Sequence, residues 1–249
     1  MPSLTLKATI FTILTLLTLP TSSHSVTTNA TLNPHIPPQS PFPDDLAHPR
    51  TDHDKIPRTI REYWMRQTLV ALNDSGSPCP FYPFGAVVVN HTNNKLGELI
   101  CTGVNQGRQS GNMMLHGEVS TILNCTSLLQ DPNGKFKLSP AETIAAFQEF
   151  SLYTNAESCP MCASAIRWNG FKEYIYGTSI ETLVEFGFAQ ITISSEEIFA
   201  QAEGLPSNTS FLGGVLTEET DALFAWQFND SHSCPRGCQR DGEGSCGTV

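Results

Sequence analysis

Two short segments of the chain hold residues whose types and spacing could do chemistry. His116, Gly117 and Glu118 are consecutive, and Cys159 and Cys162 begin 43 residues after the histidine. One imidazole and two thiolates are ligands that hold tetrahedral zinc, and three protein ligands leave a fourth position for a water. Because zinc lowers the pKa of a bound water toward about 7, this pattern predicts a site that activates water at neutral pH.

The local context of the two cysteines favours metal binding. Cys159 and Cys162 follow a β-favouring run and open a helical one, so they are expected in the first turn of a helix. The positive end of the helix dipole stabilises a thiolate relative to a thiol. Glu118, two residues after His116, is the candidate that would move protons during the reaction.

Short strand-like and helix-like stretches alternate around these segments. The alternation predicts an α/β protein, a three-layer α/β/α sandwich with a central mixed five-stranded sheet. The strands are predicted at residues 86–89, 99–102, 150–154, 174–176 and 191–193. Helices are predicted from a capping-box pattern at Thr59 and Glu62 to about residue 72, over 116–129, 159–168 and 217–228, and after Ser194, with Glu197 three residues on.

The composition limits the class of partner. The chain has 249 residues, with 14 Lys and Arg against 24 Asp and Glu, and a formal net charge of −10. A chain of this length buries one sizeable core or at most two small ones. Its negative charge repels a phosphate backbone, so nucleic acid is not an expected partner.

The N-terminal region divides into two segments that precede the domain. Residues 1–25 have the basic, apolar and small-residue regions of a secretory signal peptide, and their apolar stretch is too short to span a bilayer. Residues 26–58 form a Pro-rich leader, predicted to be disordered. The catalytic domain is predicted at 59–228, followed by a Cys-containing tail at 229–249. The mature protein is therefore expected to be secreted and free of membrane segments.

In an exported protein, two further sequence patterns are informative, because asparagines can be glycosylated and cysteines can form disulfides. Six Asn-x-Ser/Thr sequons could accept glycans, at Asn29, Asn73, Asn90, Asn124, Asn208 and Asn229. Six cysteines lie outside the zinc-like pattern, namely Cys79, Cys101, Cys125, Cys234, Cys238 and Cys246. They allow 15 pairings into three disulfides, and if all are paired within the chain, at least one bridge joins the tail to the domain. A zinc knuckle formed by the tail cysteines and His232 is the alternative, which an oxidising compartment disfavours.

The spacing of the candidate residues resembles the zinc-site signature of the cytidine and deoxycytidylate deaminase superfamily. Residues 83–89 resemble the family's first strand, and Asn105 precedes His116 by the family's distance. The likeness covers residues 59–228 and implies the cytidine deaminase-like fold and one Zn²⁺ per chain, with a water as fourth ligand. His116, Cys159 and Cys162 would be the zinc ligands, Glu118 the general acid and base, and Asn105 and Gly117 substrate-binding residues.

The residues from Cys159 to Ile166 resemble the purine branch of the superfamily, and guanine deaminase-like enzymes most closely. The implied reaction is hydrolytic: activated water attacks the ring carbon that bears the amino group, Glu118 transfers protons, and ammonia leaves. The implied substrate is an aminopurine base or nucleoside, guanine-type first, and relatives suggest a homodimer. Two positions depart from the family pattern: Gly117 stands where Ala is common, and Ser158 where Pro is common, which is expected to loosen the ligand loop slightly.

Three other functions fit parts of the pattern. A cytosine- or cytidine-type deaminase would use the same zinc chemistry on a different ring. A thiol oxidoreductase would explain the Cys-Pro-x-Cys sequence in an exported protein, but it leaves His116, Glu118 and Asn105 without a role. A non-enzymatic protein could keep zinc as a structural staple and bind a nucleobase or another protein.

Overall fold

The computed structural model describes residues 56–76, 79–235, 237–242 and 244–248. The predicted signal peptide and nearly all of the predicted leader lie outside the described residues, so both stay predictions. None of the described helices is long and apolar enough to span a membrane.

Seven strands and eight α-helices are present in the described part of the chain. The strands are β1 Gly85–Asn90, β2 Glu98–Val104, β3 Phe150–Ala156, β4 Glu173–Thr178, β5 Ser210–Leu212, β6 Cys238–Arg240 and β7 Cys246–Thr248. The helices are α1 Arg58–Ala71, α2 Gly107–Ser110, α3 Gly117–Gln130, α4 Pro140–Phe147, α5 Pro160–Asn169, α6 Ile180–Glu185, α7 Ser195–Gln201 and α8 Thr217–Ala225, with a 3₁₀ turn at Leu72–Ser75 after α1. The first four predicted strands are confirmed within these bounds.

The central sheet has five strands in the order β2-β1-β3-β4-β5. Strand β1 is antiparallel to both β2 and β3, whereas β3, β4 and β5 run parallel. The predicted mixed five-stranded sheet is therefore confirmed. The fifth strand is not where the sequence places it: residues 191–193 are a loop with Ile191 exposed, and Ser210–Leu212 pairs with β4 instead. Three alternating residues are too short a signal to specify a strand.

Successive residues on the central strands point to opposite faces of the sheet, as the two-residue period of a strand requires. Val88 and Leu152 pack on one face, and Val87 and Tyr153 on the other. The first face is covered by apolar residues of α3, α5 and α7, including Cys125, Leu129, Ile166 and Phe199. The second face is covered from α1 by Trp64 and Met65, and from near α8 by Val215 and Leu216. These two cores confirm the predicted three layers.

Helix α1 begins one residue earlier than predicted and without the expected capping box. Pro57 is its N-cap and no side chain caps it, while Glu62 accepts a hydrogen bond from Arg58 Nε at 2.7 Å. A capping box does form on α4, between Ser139 and Glu142, which the strand and helix pattern missed. The prediction for α7 is confirmed, since the Ser194 side chain accepts from the Glu197 N–H.

A buried ion pair fixes α1 to the sheet. Arg61 Nη2 lies 2.9 Å from a carboxylate oxygen of Glu173 at the start of β4. The other oxygen of Glu173 accepts a hydrogen bond from Ser151 Oγ of β3, also at 2.9 Å. Removing one partner of a buried ion pair leaves an uncompensated charge in the interior, which is strongly destabilising. This contact therefore holds α1 in position on the sheet.

Three disulfides join the six cysteines that lie outside the zinc-like pattern. Cys101–Cys125 links β2 to α3, and Cys234–Cys246 closes the tail around the β6–β7 hairpin. Cys79–Cys238 connects the tail to the segment before β1, so the predicted bridge between tail and domain is confirmed. The zinc-knuckle alternative is wrong, because its three cysteines are all disulfide-bonded.

Candidate active site

His116 and Glu118 are placed by the start of α3, the helix that packs against β1 and β2. His116 is the N-cap in extended conformation, and Glu118 lies in the first turn with its side chain buried. Thr121, one turn on, donates its hydroxyl to the Gly117 carbonyl at 2.7 Å. The first turn that carries both reactive side chains is therefore held by its own helix and by the sheet.

Cys159 and Cys162 are placed by the start of α5, immediately after β3. Cys159 is the N-cap, Pro160 occupies the first helical position, and Cys162 follows in the first turn. Proline suits that position because its missing N–H would have no partner in the first turn of a helix. The predicted strand-to-helix junction is confirmed.

These two helix starts meet, and the meeting brings three metal ligands together. The ligand atoms of His116, Cys159 and Cys162 all lie within 4.8 Å of one another, and no other such group occurs among the described residues. His116 Nδ1 lies 3.5 Å from Cys159 Sγ. Ligands of a tetrahedral zinc with these donors stand about 3.5–3.8 Å apart, so the donor set fits zinc in type and the His116–Cys159 pair fits it in spacing.

The electrostatics of the site separate the two thiols. Hydrogen bonding from Cys162 lowers the pKa of Cys159 to about 4, with a further contribution from His116. The same hydrogen bond and burial raise the pKa of Cys162 well above its ordinary value. One thiolate is therefore ready to bind a metal, and binding must release the proton of the other thiol.

Burial also raises the pKa of Glu118 above that of an ordinary carboxyl group, with the nearby Cys159 adding to the effect. A carboxyl group transfers protons most effectively when its pKa approaches the working pH. The environment of Glu118 therefore suits a general acid and base, the role that the sequence predicts.

A cavity of about 260 Å³ opens beside these residues. Four of the sequence-predicted residues contribute to its wall, namely Asn105, His116, Glu118 and Cys159. Cys162 is fully buried behind them, and Gly117 does not line the cavity. The rest of the wall includes three aromatic residues that the sequence patterns do not indicate as site residues, Tyr82, Phe84 and Phe188. The other lining residues are Arg108, Met113, Glu157, Ala189 and Gln190.

Gly117 packs closely against the backbone of Phe84, a residue of the cavity wall. A Cβ atom at this position would lie 2.8 Å from the Phe84 carbonyl oxygen, so an alanine would need the backbone to shift. The close approach to Phe84 therefore disfavours Ala at this position of this chain. A direct contact between Gly117 and substrate stays a prediction.

Known proteins are similar to this chain over the residues that form the candidate site. The zinc-binding region of cytidine and deoxycytidylate deaminases matches residues 58–178. A guanine deaminase from Bacillus subtilis is 31% identical over 146 residues, which are 58% of this chain and 80% of that enzyme. The chain belongs to the cytidine and deoxycytidylate deaminase family, in its guanine deaminase-like branch.

Two further relatives are similar over a smaller share of their length. A tRNA-specific adenosine deaminase from Rickettsia felis is 28% identical, over 39% of this chain and 56% of that protein. A probable cytosine deaminase from Schizosaccharomyces pombe is 25% identical, over 42% of this chain and 52% of that protein. The chain thus spans about half the length of these two relatives. As a member of the family, the protein is a hydrolytic nucleobase deaminase that binds one Zn²⁺ per chain.

Two side chains at the end of β3, those of Asn155 and Glu157, hold this site in place. The Glu157 carboxylate accepts the Ile180 N–H at 2.9 Å and the Ser195 N–H at 2.7 Å, which are the first N–H groups of α6 and α7. Asn155 of β3 accepts the Gly85 N–H and donates to the Pro83 carbonyl oxygen. The segment between α6 and α7 and the segment around Phe84 both line the cavity, so β3 and the residue after it position both walls.

Ser158, which replaces the family's Pro, also has a structural role. Its N–H donates to the hydroxyl of the fully buried Tyr174 on β4 at 2.6 Å, a bond that proline could not make. The expected loosening of the ligand loop is therefore offset, because a hydrogen bond inside the core ties the loop to the next strand.

The first prediction concerns the hydrogen bond from the Ser158 N–H to the Tyr174 hydroxyl. Ser158→Pro removes the donor to a buried hydroxyl, and we expect the free energy of unfolding to fall by about 1–3 kcal/mol. In a Tyr174→Phe background the same change should cost less, because the hydroxyl is gone. Urea unfolding of the four proteins completes the cycle. Equal costs in both backgrounds would contradict the tie.

The second prediction concerns the metal. Cys162→Ala removes one of three protein ligands, so zinc content should fall from about one per chain toward zero and turnover should be lost with it. Metal analysis of gel-filtered protein measures the content. Ser164→Ala, on the same helix, is the matched control and should retain both zinc and activity. Full zinc in Cys162→Ala would place the ligands elsewhere.

Proposed function

We propose that this protein is a secreted zinc deaminase that releases ammonia from an aminopurine, a guanine-type base or nucleoside first. The observation that carries the proposal is the similarity to a guanine deaminase over 80% of that enzyme's length. The residues after Cys162, Ala163 to Ile166, support the same branch because they follow the purine-type pattern.

The cavity wall supports an aromatic ring as the ligand. Phe84 and Phe188 meet edge to face with ring centroids 6.0 Å apart, and Tyr82 lies against Phe188 at 5.7 Å. A flat base gains dispersion and stacking contacts on such a wall. The amides of Asn105 and Gln190 supply donors and acceptors for the polar edge of the ring.

Asn105 is prepared to orient the base. Its side-chain oxygen accepts the Gly107 N–H at 3.0 Å, and its backbone N–H donates to the Phe84 carbonyl at 2.8 Å. The amide nitrogen keeps two donors for a ring nitrogen or carbonyl oxygen. Holding the ring in one orientation places the amino-bearing carbon for attack.

His116, Cys159 and Cys162 would hold the zinc, which supplies a water activated at neutral pH. Glu118 would take one proton from the attacking water and deliver it to a ring nitrogen while the water oxygen bonds to the ring carbon. Glu118 would then move the remaining proton of that oxygen to the amino group. The carbon–nitrogen bond breaks, ammonia leaves, and the ring keeps a carbonyl group.

Nucleic acid remains outside the proposed substrate range. A tRNA deaminase is among the relatives, but the net charge of −10 opposes binding of a polyanion. Among the residues lining the cavity, Arg108 is the one with a permanent positive charge, against the carboxyl groups of Glu118 and Glu157. A small base or nucleoside fits this balance better, and a homodimer stays a prediction from the resemblance.

Secretion is proposed from the N-terminal signal pattern and supported by the disulfides. Three disulfides in one domain are typical of an oxidising compartment. The sequon side chains of Asn73, Asn124, Asn208 and Asn229 are exposed, as glycan acceptors must be.

The third prediction isolates the proton transfer. Glu118→Gln keeps the size of the side chain but cannot titrate, so turnover should fall by about 10²–10⁴ while zinc stays bound. Ammonia release and metal content are measured on the same preparation. Glu149→Gln, an exposed carboxylate on the surface, should change neither. Turnover near the unmodified rate in Glu118→Gln would exclude it from the chemistry.

The fourth prediction addresses the substrate. In a panel of guanine, adenine, guanosine, adenosine, cytosine and cytidine, ammonia release should be fastest from a guanine-type purine. Asn105→Ala should lower kcat/KM for that substrate by a factor that corresponds to about 1–3 kcal/mol of lost transition-state stabilisation, because the polar groups of the bound ring lose their partner. The zinc content should stay unchanged. Cytidine or cytosine as the fastest substrate would favour the cytosine-type alternative and leave the zinc chemistry intact.

A further inference from the structure

A second cavity adjoins the one that holds the candidate active site. Its volume is about 280 Å³, similar to the inner cavity's 260 Å³. Tyr82, Asn105 and Arg108 line both cavities, so these three residues mark their junction. We call the second one the outer cavity; its remaining wall is formed by Cys79, Pro80, Phe81 and Gln109.

At the junction, the backbone of Tyr82 has a strained conformation. Tyr82 has a φ of +59°, a region that side chains other than glycine rarely adopt. Its backbone N–H donates to the Gln227 side-chain oxygen at 3.1 Å, which holds the residue there. Strain of this kind persists only where the surrounding structure imposes it, and it concentrates at ligand sites.

The Arg108 side chain lies at the junction and has N–H donors beyond the one that binds Tyr82. Its guanidinium carbon lies 4.5 Å from the centre of the Tyr82 ring, and Nη2 donates to the Tyr82 hydroxyl at 3.2 Å. Within the described part of the chain Arg108 has no carboxylate partner, and no Asp or Glu lines the outer cavity. The guanidinium group therefore offers its other N–H donors to a ligand.

We infer that the outer cavity holds the sugar of a purine nucleoside whose base occupies the inner cavity, so that the nucleoside is preferred to the free base. This inference rests on the proposed purine deaminase function. The polar groups of Arg108 and Gln109 match sugar hydroxyls, and the Phe81 and Pro80 wall matches the apolar face of a sugar ring. A nucleotide fits less well, because one guanidinium group faces two carboxyl groups in the adjoining cavity.

The test compares guanine with guanosine, measured as ammonia release by the zinc-loaded protein. The unmodified protein should show a kcat/KM for guanosine at least about tenfold above that for guanine. Arg108→Ala should lower the guanosine value about tenfold and the guanine value by a smaller factor, because Arg108 lines both cavities but only the nucleoside offers a sugar to its charged donor. Gln109→Ala, which lines the outer cavity alone, should lower the guanosine value in the same selective way.

Arg66→Ala is the control, because Arg66 pairs with Glu219 on the surface and lines neither cavity. Guanine turned over as fast as guanosine would overturn the sugar site and leave the purine function standing. An equal loss on both substrates in the Arg108 and Gln109 variants would also overturn it. Turnover of guanosine 5′-monophosphate faster than that of guanosine would overturn the preference for an unphosphorylated nucleoside. If cytidine alone were deaminated, the purine function itself would be wrong.

Discussion

The site depends on the convergence of two helix starts. His116 and Cys159 are each the residue before a helix, on segments far apart in sequence, and yet Nδ1 and Sγ lie 3.5 Å apart. An N-cap residue has extended backbone and a fixed direction into the first turn, so its side chain is aimed by the helix that follows. The metal ligands are therefore positioned by where the sheet sets α3 and α5, and not by flexible loops.

The sheet performs that positioning through polar contacts as well as the apolar core. Strand β3 is central, paired with β1 on one side and β4 on the other, and the residue following it, Glu157, binds the starts of two further helices. At the opposite end of the same strands, the Arg61–Glu173 pair fixes the outer layer. A buried charge with several hydrogen bonds tolerates little displacement, which suits a site that must be exact to within a fraction of an ångström.

The residues of the zinc cluster could be predicted from sequence because metal chemistry restricts both residue type and spacing. The four longer strands could be predicted because each contains several β-branched or aromatic residues, and three of them, β1, β3 and β4, are almost wholly buried. Strand β5 could not: it has three residues, none of them fully buried, and its place follows from pairing with β4 rather than from its own sequence. The junction residues Tyr82 and Arg108 were missed for a related reason, since their contact joins segments whose approach no local pattern encodes.

Ser158 shows the limit of reasoning from a family pattern. Its replacement of Pro suggests a weaker loop when the sequence is considered alone, and only the position of Tyr174 shows that the freed N–H has found an acceptor. The gain depends on two positions 16 residues apart, so neither is informative without the other.

The bridge between Cys79 and Cys238 has a consequence for how the enzyme matures. Cys79 lines the outer cavity, yet its disulfide partner Cys238 lies 159 residues later in the chain. A ribosome makes the chain from its N-terminus, so this part of the wall stays unclosed until the segment that carries Cys238 has been synthesised. An oxidant must then form the bond. The three candidate metal ligands, His116, Cys159 and Cys162, all precede Cys238 in the chain, so they can come together before this wall is closed, and the closing bond depends on the redox state of the compartment.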